Sequence, residues 1–438
     1  MQLTTKHRSP STSRCWVVLA ASLLAGTAAQ AQGFDWQAHK GETVSFLANN
    51  NPWTTAVLKH KADFEEKTGI KLKVDSYQEQ QMRQRLLTVM NARSDEVDVF
   101  MTLPSREGMQ FAAAGWYEDL NGLVKQKTSP DYKFGDLSPA LVKAATFDGA
   151  LTGIPLNIEG PLLYYRTDIF EKCKVEPPQV IADLAVAAKT IKDCDPAVTP
   201  FASRGLKPAL PYTFSVFLHN MGGSYMKDGK SNLCSDQGKQ ALKYYADLLK
   251  DYGPPGVVNY SFYQLTALYR AGRSAMSFQS SNEFPSVMEG GARLQDTAIM
   301  PLPKGDGGSV PTVIGWALSI SKHSAHKDAA WYFLQWATSP EIQAKLALDG
   351  IAPPRQSVSA DPAYRKWLDD QPVRKQWQEA IDALARDGTS EVGYPIIRNP
   401  ESREFIGQAV NAILLGTSTV EEACKAADAQ LDALIQQK

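Results

Sequence analysis

The acidic residues and histidines of this chain lack the spacing that known catalytic sites require. Among 47 Asp and Glu residues, adjacent pairs such as Asp95 and Glu96 occur by chance and do not indicate a glycosidase. The sequence contains no G-x-S-x-G, H-E-x-x-H or phosphate-loop lysine motif. Its 6 histidines are scattered without metal-ligand spacing. We therefore expect no catalytic activity, no cofactor and no metal site.

The cysteines permit disulfides if the chain is exported. Cys15 lies near the N-terminus, and the other four, Cys173, Cys194, Cys234 and Cys424, allow two bridges in three pairings. A Cys173–Cys194 bridge is disfavoured, because the helix predicted between them would be ~22 Å long. Bridged Cα atoms lie within ~7 Å of each other. Four free thiols remain the alternative.

The N-terminus has the features of a secretory signal peptide. Basic residues are followed by the apolar run Trp16–Ala25 and by Ala29-Gln30-Ala31, which has the small residues of a cleavage site. The run is shorter than the roughly 20 residues that span a bilayer. We expect residues 1–31 to be removed by cleavage after Ala31, and the mature protein to be periplasmic and monomeric.

Charge and length restrict the remaining possibilities. The 46 basic residues nearly balance the acidic ones, and no basic cluster suggests nucleic acid or an anionic membrane surface. A chain of 438 residues exceeds the ~250–300 at which single hydrophobic cores stop growing. We therefore expect two or more domains.

Alternating strands and helices predict an α/β fold from Val44 onward. The segments Val44–Ala48, Ile70–Asp75 and Val97–Met101 are typical of strands, with an amphipathic helix after each of the first two. Ligand sites in such sheets lie at the carboxyl ends of the strands. The loops that begin at Asn49 and Thr102 occupy these ends.

The region 298–346 carries a dense motif. The strand Trp316–Ser321 is followed by Ser324, a plausible N-cap, by a helix over Lys327–Thr338, and by Ser339-Pro340, which restarts a helix. The pattern resembles G-x-x-L-x-I-S-x-x-S-x-x-K-x-A-A-W-x-F-L-x-W-x-x-S-P-E of the bacterial extracellular solute-binding proteins of family 1, which includes the maltose-binding protein. The matching residues are Gly315, Leu318, Ile320, Ser321, Ser324, Lys327, Ala329, Ala330, Trp331, Phe333, Leu334, Trp336, Ser339, Pro340 and Glu341.

Further segments resemble the same family and extend the likeness over the mature chain. They are Gly149–Phe170, the phrase LYRAGRSAMSF, and Ile351–Arg355. The resemblance implies a two-lobed α/β periplasmic binding protein fold with three inter-lobe crossings and a helical C-terminal region. It places residues 32–157 and 298–346 in the N-terminal lobe and residues 158–297 and 347–438 in the C-terminal lobe. All four cysteines of the mature chain would then lie in the C-terminal lobe.

The resemblance also implies a function. Such a protein captures a carbohydrate or polyol between its lobes and delivers it to the permease subunits of an ABC transporter in the inner membrane. The alternative is a non-sugar solute in the same fold, such as a glycerophosphodiester or a polyamine. A secreted carbohydrate-active enzyme is a more distant alternative.

Candidate ligand-binding residues follow from the same likeness and from their position at strand ends. Glu159 aligns with a sugar-binding glutamate of the maltose-binding protein, and Tyr212 with a sugar-contacting tyrosine. At Thr102 and Ser280-Ser281-Asn282 that protein has stacking tryptophans, and their loss favours a smaller or more polar ligand. The full set of candidates is Trp53, Glu79, Gln80, Thr102, Asn157, Glu159, Tyr212, Ser280, Gly315, Trp316 and Arg355.

Overall fold

Two β-sheets organise the chain in the computed structural model, which describes residues 34–291 and 293–437. The first sheet has the strand order Lys71–Tyr77, Thr43–Asn49, Val99–Thr102, Ala317–Ile320 and Ile154–Pro155. The second has the order Thr297–Met300, Pro161–Arg166, Ser274–Ser280 and Thr199–Ala202. Short pairs are Thr146–Phe147 with Ala150–Leu151, and Met226–Lys227 with Lys230–Ser231. The predicted cleavage site lies outside the described residues.

The first sheet combines parallel and antiparallel pairing. Thr43–Asn49 runs parallel to both of its neighbours, so the carboxyl ends of three strands meet at one edge. Ala317–Ile320, which comes much later in the chain, pairs antiparallel with Val99–Thr102. The chain thus returns to the first sheet at this strand. The edge formed by the three strand ends is where a ligand site is expected.

Helices cover both sheets. Those in the segments that form the first sheet are Pro52–Leu58, Lys61–Thr68, Glu79–Asn91, Met109–Ala113, Asn121–Gln126, Pro139–Ala144, Lys327–Ala337 and Pro340–Leu348. Those in the other segments are Thr167–Cys173, Ile181–Cys194, Pro211–Asn220, Asp236–Tyr252, Phe262–Arg270, Phe284–Val287, Gln356–Ser359, Pro362–Asp369, Pro372–Asp387, Asn399–Leu414 and Val420–Ile435. None of the described helices is both long and apolar enough to cross a membrane.

The helix Lys327–Ala337 shows why the motif of this region is so regular. Its residues Ala329–Ala337 are all buried, with Phe333 packed 5.2 Å from Phe46 between ring centroids. Ser339 caps the next helix by accepting a hydrogen bond from the amide of Ile342, as predicted. Ser324 is not the N-cap: its hydroxyl donates to Asp98 Oδ1 at 2.6 Å, and the helix starts after His326.

One predicted lobe boundary needs correction. Thr297–Met300 pairs with Pro161–Arg166 in the second sheet, so the chain returns to the first sheet only between Pro301 and Trp316. The boundary at residue 298 was therefore placed one strand too early. A short apolar strand before a loop gives no indication of which of two sheets it joins, since its pairing partner is distant in sequence.

The structure contains the disulfide that the helix length disfavoured. Cys173 and Cys194 are bridged with Cα atoms 5.7 Å apart, and Cys234 is bridged to Cys424 with Cα atoms 5.1 Å apart. The first bridge is possible because residues 174–180 are not helical and lead the chain back along the helix Ile181–Cys194, which then returns to Cys173. The length of the helix alone takes no account of this return segment. Cys173 and Cys424 lie in the hydrophobic core that contains Leu163 and Phe278 of the second sheet, and Cys234 packs against that core.

Candidate functional site

A small cavity lies between the strand ends of the two sheets. Its free space is ≈ 20 Å³, about enough for one ordered water molecule. From Asp35 onward the described residues pack as one compact unit. The cavity is lined by Asn49, Asn51, Glu79, Leu103, Arg106, Glu159, Arg204, Tyr212, Phe262, Ser280, Asn282, Glu283, Ile314, Trp316 and Arg403. A sugar-sized ligand can enter only if the two sheets move apart.

Five of the candidate residues line this cavity. Glu79 comes from the first helix turn after Lys71–Tyr77, and Trp316 immediately precedes Ala317–Ile320. Glu159, Tyr212 and Ser280 approach from the side of the second sheet. Residues far apart in sequence thus meet where the strands of both sheets end. Their role in ligand binding remains a prediction.

Two further candidates support the cavity wall without lining it. Asn157 donates to Glu159 Oε2 at 3.3 Å, and its Oδ1 accepts from the amide of Trp316 at 3.0 Å. It therefore holds two wall residues in place. Gln80 Oε1 accepts from Arg106 Nη2 at 3.3 Å.

The remaining candidates do not reach the cavity. Trp53 is fully buried, because the helix begins at Pro52, capped by Asn51, and carries the indole into the core. The Thr102 hydroxyl is bonded to the Tyr117 hydroxyl at 2.7 Å. Gly315 and Arg355 also lie outside the lining of the cavity.

Gly315 and Arg355 are structural for identifiable reasons. A Cβ at Gly315 would lie 2.6 Å from the carbonyl oxygen of Asn157, so the close approach of two chain segments requires glycine here. The Arg355 side chain is fully buried, donates to the carbonyl of Thr338 at 2.6 Å and stacks 4.7 Å from the centroid of Tyr132. It fastens the chain after Pro340–Leu348, away from the cavity.

An ion network holds Glu79 at the cavity wall. Its Oε1 accepts from Arg83 Nη2 at 3.0 Å and from Arg106 Nη1 at 3.1 Å. Arg83 also pairs with Glu107. Burial alone would raise the pKa of Glu79, but the charges of Arg83 and Arg106 outweigh it and lower the pKa to about 2. Glu79 is therefore a fixed anion whose acceptor capacity is already used in part.

The two carboxyl groups on the other side of the cavity have no cationic partner among the described residues. Glu159 accepts from the Ser280 hydroxyl at 2.8 Å, and Glu283 accepts from the Thr266 hydroxyl at 3.0 Å. Burial raises the pKa of Glu159. Burial, reinforced by the negative charge of Glu159, raises the pKa of Glu283 to about 8 despite the Thr266 hydrogen bond. Glu283 is therefore mainly protonated at neutral pH.

Arg204 and Arg403 belong to the cavity but were not predicted. The guanidinium of Arg204 lies 4.0 Å from the ring centroid of Tyr212 and 5.6 Å from that of Phe262. Arg403 donates to the carbonyl of Pro208 at 2.9 Å. Arg204 directly follows a buried strand and Ser203, a position that could have indicated a ligand site. Arg403 lies inside a long helix and has no such signal.

Tyr263 connects the helix Phe262–Arg270 to the edge of the first sheet. Its hydroxyl accepts from the amide of Glu79 at 3.0 Å and lies 3.2 Å from Asn49 Oδ1 and 3.1 Å from the carbonyl of Asn50. It can donate to one of the latter two at a time. These contacts join the two sides of the cavity directly, so they require the sheets to be close together.

Replacing Tyr263 by Phe should therefore release bound ligand faster. A hydrogen bond contributes about 0.5–1.5 kcal/mol, so we expect a rise in the dissociation rate of roughly 2- to 12-fold with little change in the association rate. Stopped-flow fluorescence measures both rates. Tyr269→Phe is the matched control, because its hydroxyl bonds Thr297 at 3.1 Å on one side of the cavity only. An unchanged dissociation rate in Tyr263→Phe would contradict this role.

Nothing among the described side chains suggests a metal. No group of three or more His, Cys, Asp or Glu residues in this part of the chain could hold an ion. What the cavity offers instead is a set of carboxyl, guanidinium, amide and hydroxyl groups beside aromatic rings. Such a lining can hydrogen-bond a small polar molecule and exclude water around it.

Comparisons with known proteins agree with this architecture. Residues 47–344 match the family model "Bacterial extracellular solute-binding protein". The "Mannitol-binding protein" of Pseudomonas aeruginosa is 26% identical over 411 residues, covering 89% of this chain and 92% of that protein. A solute-binding protein of Thermotoga lettingae TMO bound with α-D-tagatose has a TM-score of 0.79 at 24% identity, covering 90% of this chain and 100% of the other.

A second solved structure gives the same result. The solute-binding protein of Agrobacterium radiobacter K84 in complex with ribitol also has a TM-score of 0.79 at 24% identity, with 90% of this chain and 99% of the other covered. These structures confirm the two-lobed α/β fold. The chain belongs to the bacterial extracellular solute-binding protein family.

Proposed function

We propose that this protein captures a small polyol or monosaccharide between its two lobes and delivers it to an ABC-type permease. The observation that carries the proposal is a cavity lined by buried carboxyl and guanidinium groups, of which Glu159 and Arg204 form no ion pair with each other. A hydroxyl group can donate to a carboxylate and accept from a guanidinium at once. A polyhydroxylated molecule can therefore bridge the carboxyl and guanidinium groups of the cavity. The similarity to a mannitol-binding protein supports this proposal.

The aromatic surfaces favour a short ligand. The guanidinium of Arg83 lies 5.2 Å from the ring centroid of Trp316, and that of Arg204 lies 4.0 Å from that of Tyr212. Each guanidinium covers part of a ring face that a pyranose would otherwise contact. Ser280 and Asn282 line the cavity at the position where the maltose-binding protein has a stacking tryptophan. These features support recognition through hydroxyl hydrogen bonds rather than through a row of stacked sugar rings.

Lobe closure follows from the size of the cavity. Its free space of ≈ 20 Å³ is smaller than any sugar, so the ligand enters an open form and the contacts on both sides form on closing. A ligand that binds the closed form more tightly than the open form shifts the equilibrium toward the closed form. The size of the shift is set by the difference between the two affinities. Glu79 and Trp316 would contact it from the first sheet, and Glu159 and Tyr212 from the second.

A thermal-shift panel of polyols, monosaccharides and oligosaccharides tests the proposal. A ligand present at a hundred times its Kd stabilises the protein by about 2.7 kcal/mol, which raises the melting temperature measurably. We expect four- to six-carbon polyols or monosaccharides to give the largest shifts, and maltodextrins to give none. Shifts only with glycerophosphodiesters or polyamines would contradict the proposal and favour the alternative solutes.

Export remains part of the proposal. Family members act outside the cytoplasm, and we propose that this chain is periplasmic, monomeric, without affinity for nucleic acid, and cut after Ala31. Intact-mass measurement of the exported protein should give a chain that begins at Gln32. Ala31→Leu should retard cleavage, because signal peptidase requires a small residue at this position. An exported protein that retains residues 1–31 would contradict the assignment.

A further inference from the structure

The unpaired polar atoms around the cavity are all hydrogen-bond donors. Among the lining residues that the structure describes, three buried side-chain nitrogens have no hydrogen-bond partner. They are Asn51 Nδ2, Arg106 Nε and Arg204 Nε. All three can only donate. A buried donor without a partner costs about 1–3 kcal/mol, so a ligand that supplies acceptors gains from each of them.

Arg204 is the most exceptional of these groups. Only 5% of the residue is exposed, and its guanidinium forms neither a hydrogen bond nor an ion pair with any described residue. Arg403 is 3% exposed, and its partners among the described residues are the carbonyl groups of Pro208 and Val392. Two buried positive charges therefore face the cavity, and neither has an anionic partner in contact in the part of the chain that the structure describes. A buried charge normally has such a partner, since leaving water is costly.

The acceptors of the cavity do not meet this need. Glu79 is held by Arg83 and Arg106. Glu159 is directed by Ser280 and Asn157, and neither of its oxygens contacts Arg204. With its pKa raised to about 8 by burial, Glu283 is mainly protonated at neutral pH and adds a donor. No carboxylate of the lining therefore contacts Arg204 or Arg403, and both guanidinium groups keep donors for the acceptors of a ligand.

We propose that the preferred ligand is a polyhydroxylated compound with one anionic group, carboxylate or phosphate, that binds the free edge of Arg204. Either group presents two oxygens to the forked N–H donors of a guanidinium. The hydroxyl groups of the same ligand would face Glu159 and Glu79. This inference rests on the proposed capture of a polyol or sugar and specifies its chemical class.

Calorimetric titration of three matched ligands tests the inference. D-sorbitol, D-gluconate and D-sorbitol 6-phosphate share a six-carbon chain and differ at one end. At pH 7 we expect at least one of the two anions to bind ten times more tightly than sorbitol, a difference of about 1.4 kcal/mol. Which anion binds more tightly distinguishes a sugar acid from a sugar phosphate.

Variants of Arg204 test whether this residue causes the tighter binding of the anion relative to sorbitol. Arg204→Gln should bring the affinity ratio between the anion and sorbitol close to 1, whereas Arg204→Lys, which keeps the charge but not the fork, should retain part of it. Arg398→Gln, a change at an exposed residue paired with Glu401 at 3.1 Å, is the control and should leave the ratio unchanged. Thermal unfolding of each ligand-free variant shows whether it folds.

The outcomes separate this inference from the proposed function. Sorbitol binding as tightly as both anions would overturn the inference and leave the proposed function standing. An anion advantage that persists unchanged in Arg204→Gln would also overturn it. If no polyol, sugar or sugar derivative binds, the proposed function fails and the inference fails with it. If Arg204→Gln does not fold, the inference is still tested by the ratio of anion affinity to sorbitol affinity in the wild-type protein and in Arg204→Lys.

Discussion

Replacing Glu159 by Ala is expected to weaken ligand binding at least tenfold while the protein remains folded. The carboxyl group is 4% exposed and lies at the crossing between the sheets, with Ser280 and Asn157 directing its oxygens. Hydrogen bonds to a charged group contribute about 1.5–3 kcal/mol, which corresponds to a loss of roughly 10- to 150-fold. Calorimetry with the best ligand of the thermal-shift panel measures the change.

Trp316→Ala should weaken ligand binding by a similar factor, but for a different reason. The indole, 5% exposed, forms one wall of the cavity and is held by Asn157 through its backbone amide. Its removal enlarges the cavity and destabilises the fold by about 3–5 kcal/mol, so binding must be measured well below the melting temperature.

Matched controls separate these effects from general destabilisation. Glu65→Ala removes a half-buried carboxylate that accepts from the amide of Leu72 at 2.9 Å, outside the cavity. Trp367→Ala removes an indole that stacks against Tyr364 at 5.9 Å, also outside it. Both should leave the affinity within about twofold of wild type. Unchanged affinity in both Glu159→Ala and Trp316→Ala would mean that the ligand binds elsewhere.

Removal of the Cys234–Cys424 bridge should cause the largest loss of stability among single disulfide changes. The half-cystines are 190 residues apart, whereas Cys173 and Cys194 are 21 apart. In the chain-entropy model a 100-residue loop contributes about 4.7 kcal/mol and a 15-residue loop about 3 kcal/mol. In urea unfolding of the two double Cys→Ser variants, the one that lacks the Cys234–Cys424 bridge should therefore have the lower free energy of unfolding.

The same variants should retain ligand affinity. The bridge joins Cys234, just before the helix Asp236–Tyr252, to Cys424 in the helix Val420–Ile435, and neither half-cystine lines the cavity. Equal stability of the two variants would contradict the loop-length argument. Peptide mapping that finds four free thiols would remove the disulfides from the account altogether.

The fold was predictable where its signals are local. The helix Lys327–Ala337 and the restart at Ser339-Pro340 follow from apolar spacing and cap chemistry within a few residues. Gly69 ends the helix Lys61–Thr68 in the left-handed conformation, with φ of 68°, which glycine adopts readily just after the last helical residue. These features depend on neighbours in sequence and so can be recognised without the tertiary structure.

The site was only partly predictable, because its members converge from distant segments. Glu79, Glu159 and Trp316 lie at strand ends, which is where α/β sheets place ligands. Trp53 lies at a strand end too, but a cap at Asn51 starts a helix that buries it. Arg403 lies inside the helix Asn399–Leu414 and reaches the cavity only through the packing of that helix, which local pattern does not encode.

A crystal structure with the best ligand of the panel tests the central claim most directly. We expect electron density for one polyhydroxylated molecule between the two sheets, with its oxygens within hydrogen-bond distance of Glu159 and Arg204. Trp316 and Tyr212 should contact the same molecule from opposite lobes. Density only in the neighbouring groove near Ser138 and Lys143, which shares Trp316 with the cavity, would contradict this expectation if the cavity around Glu159 were still closed.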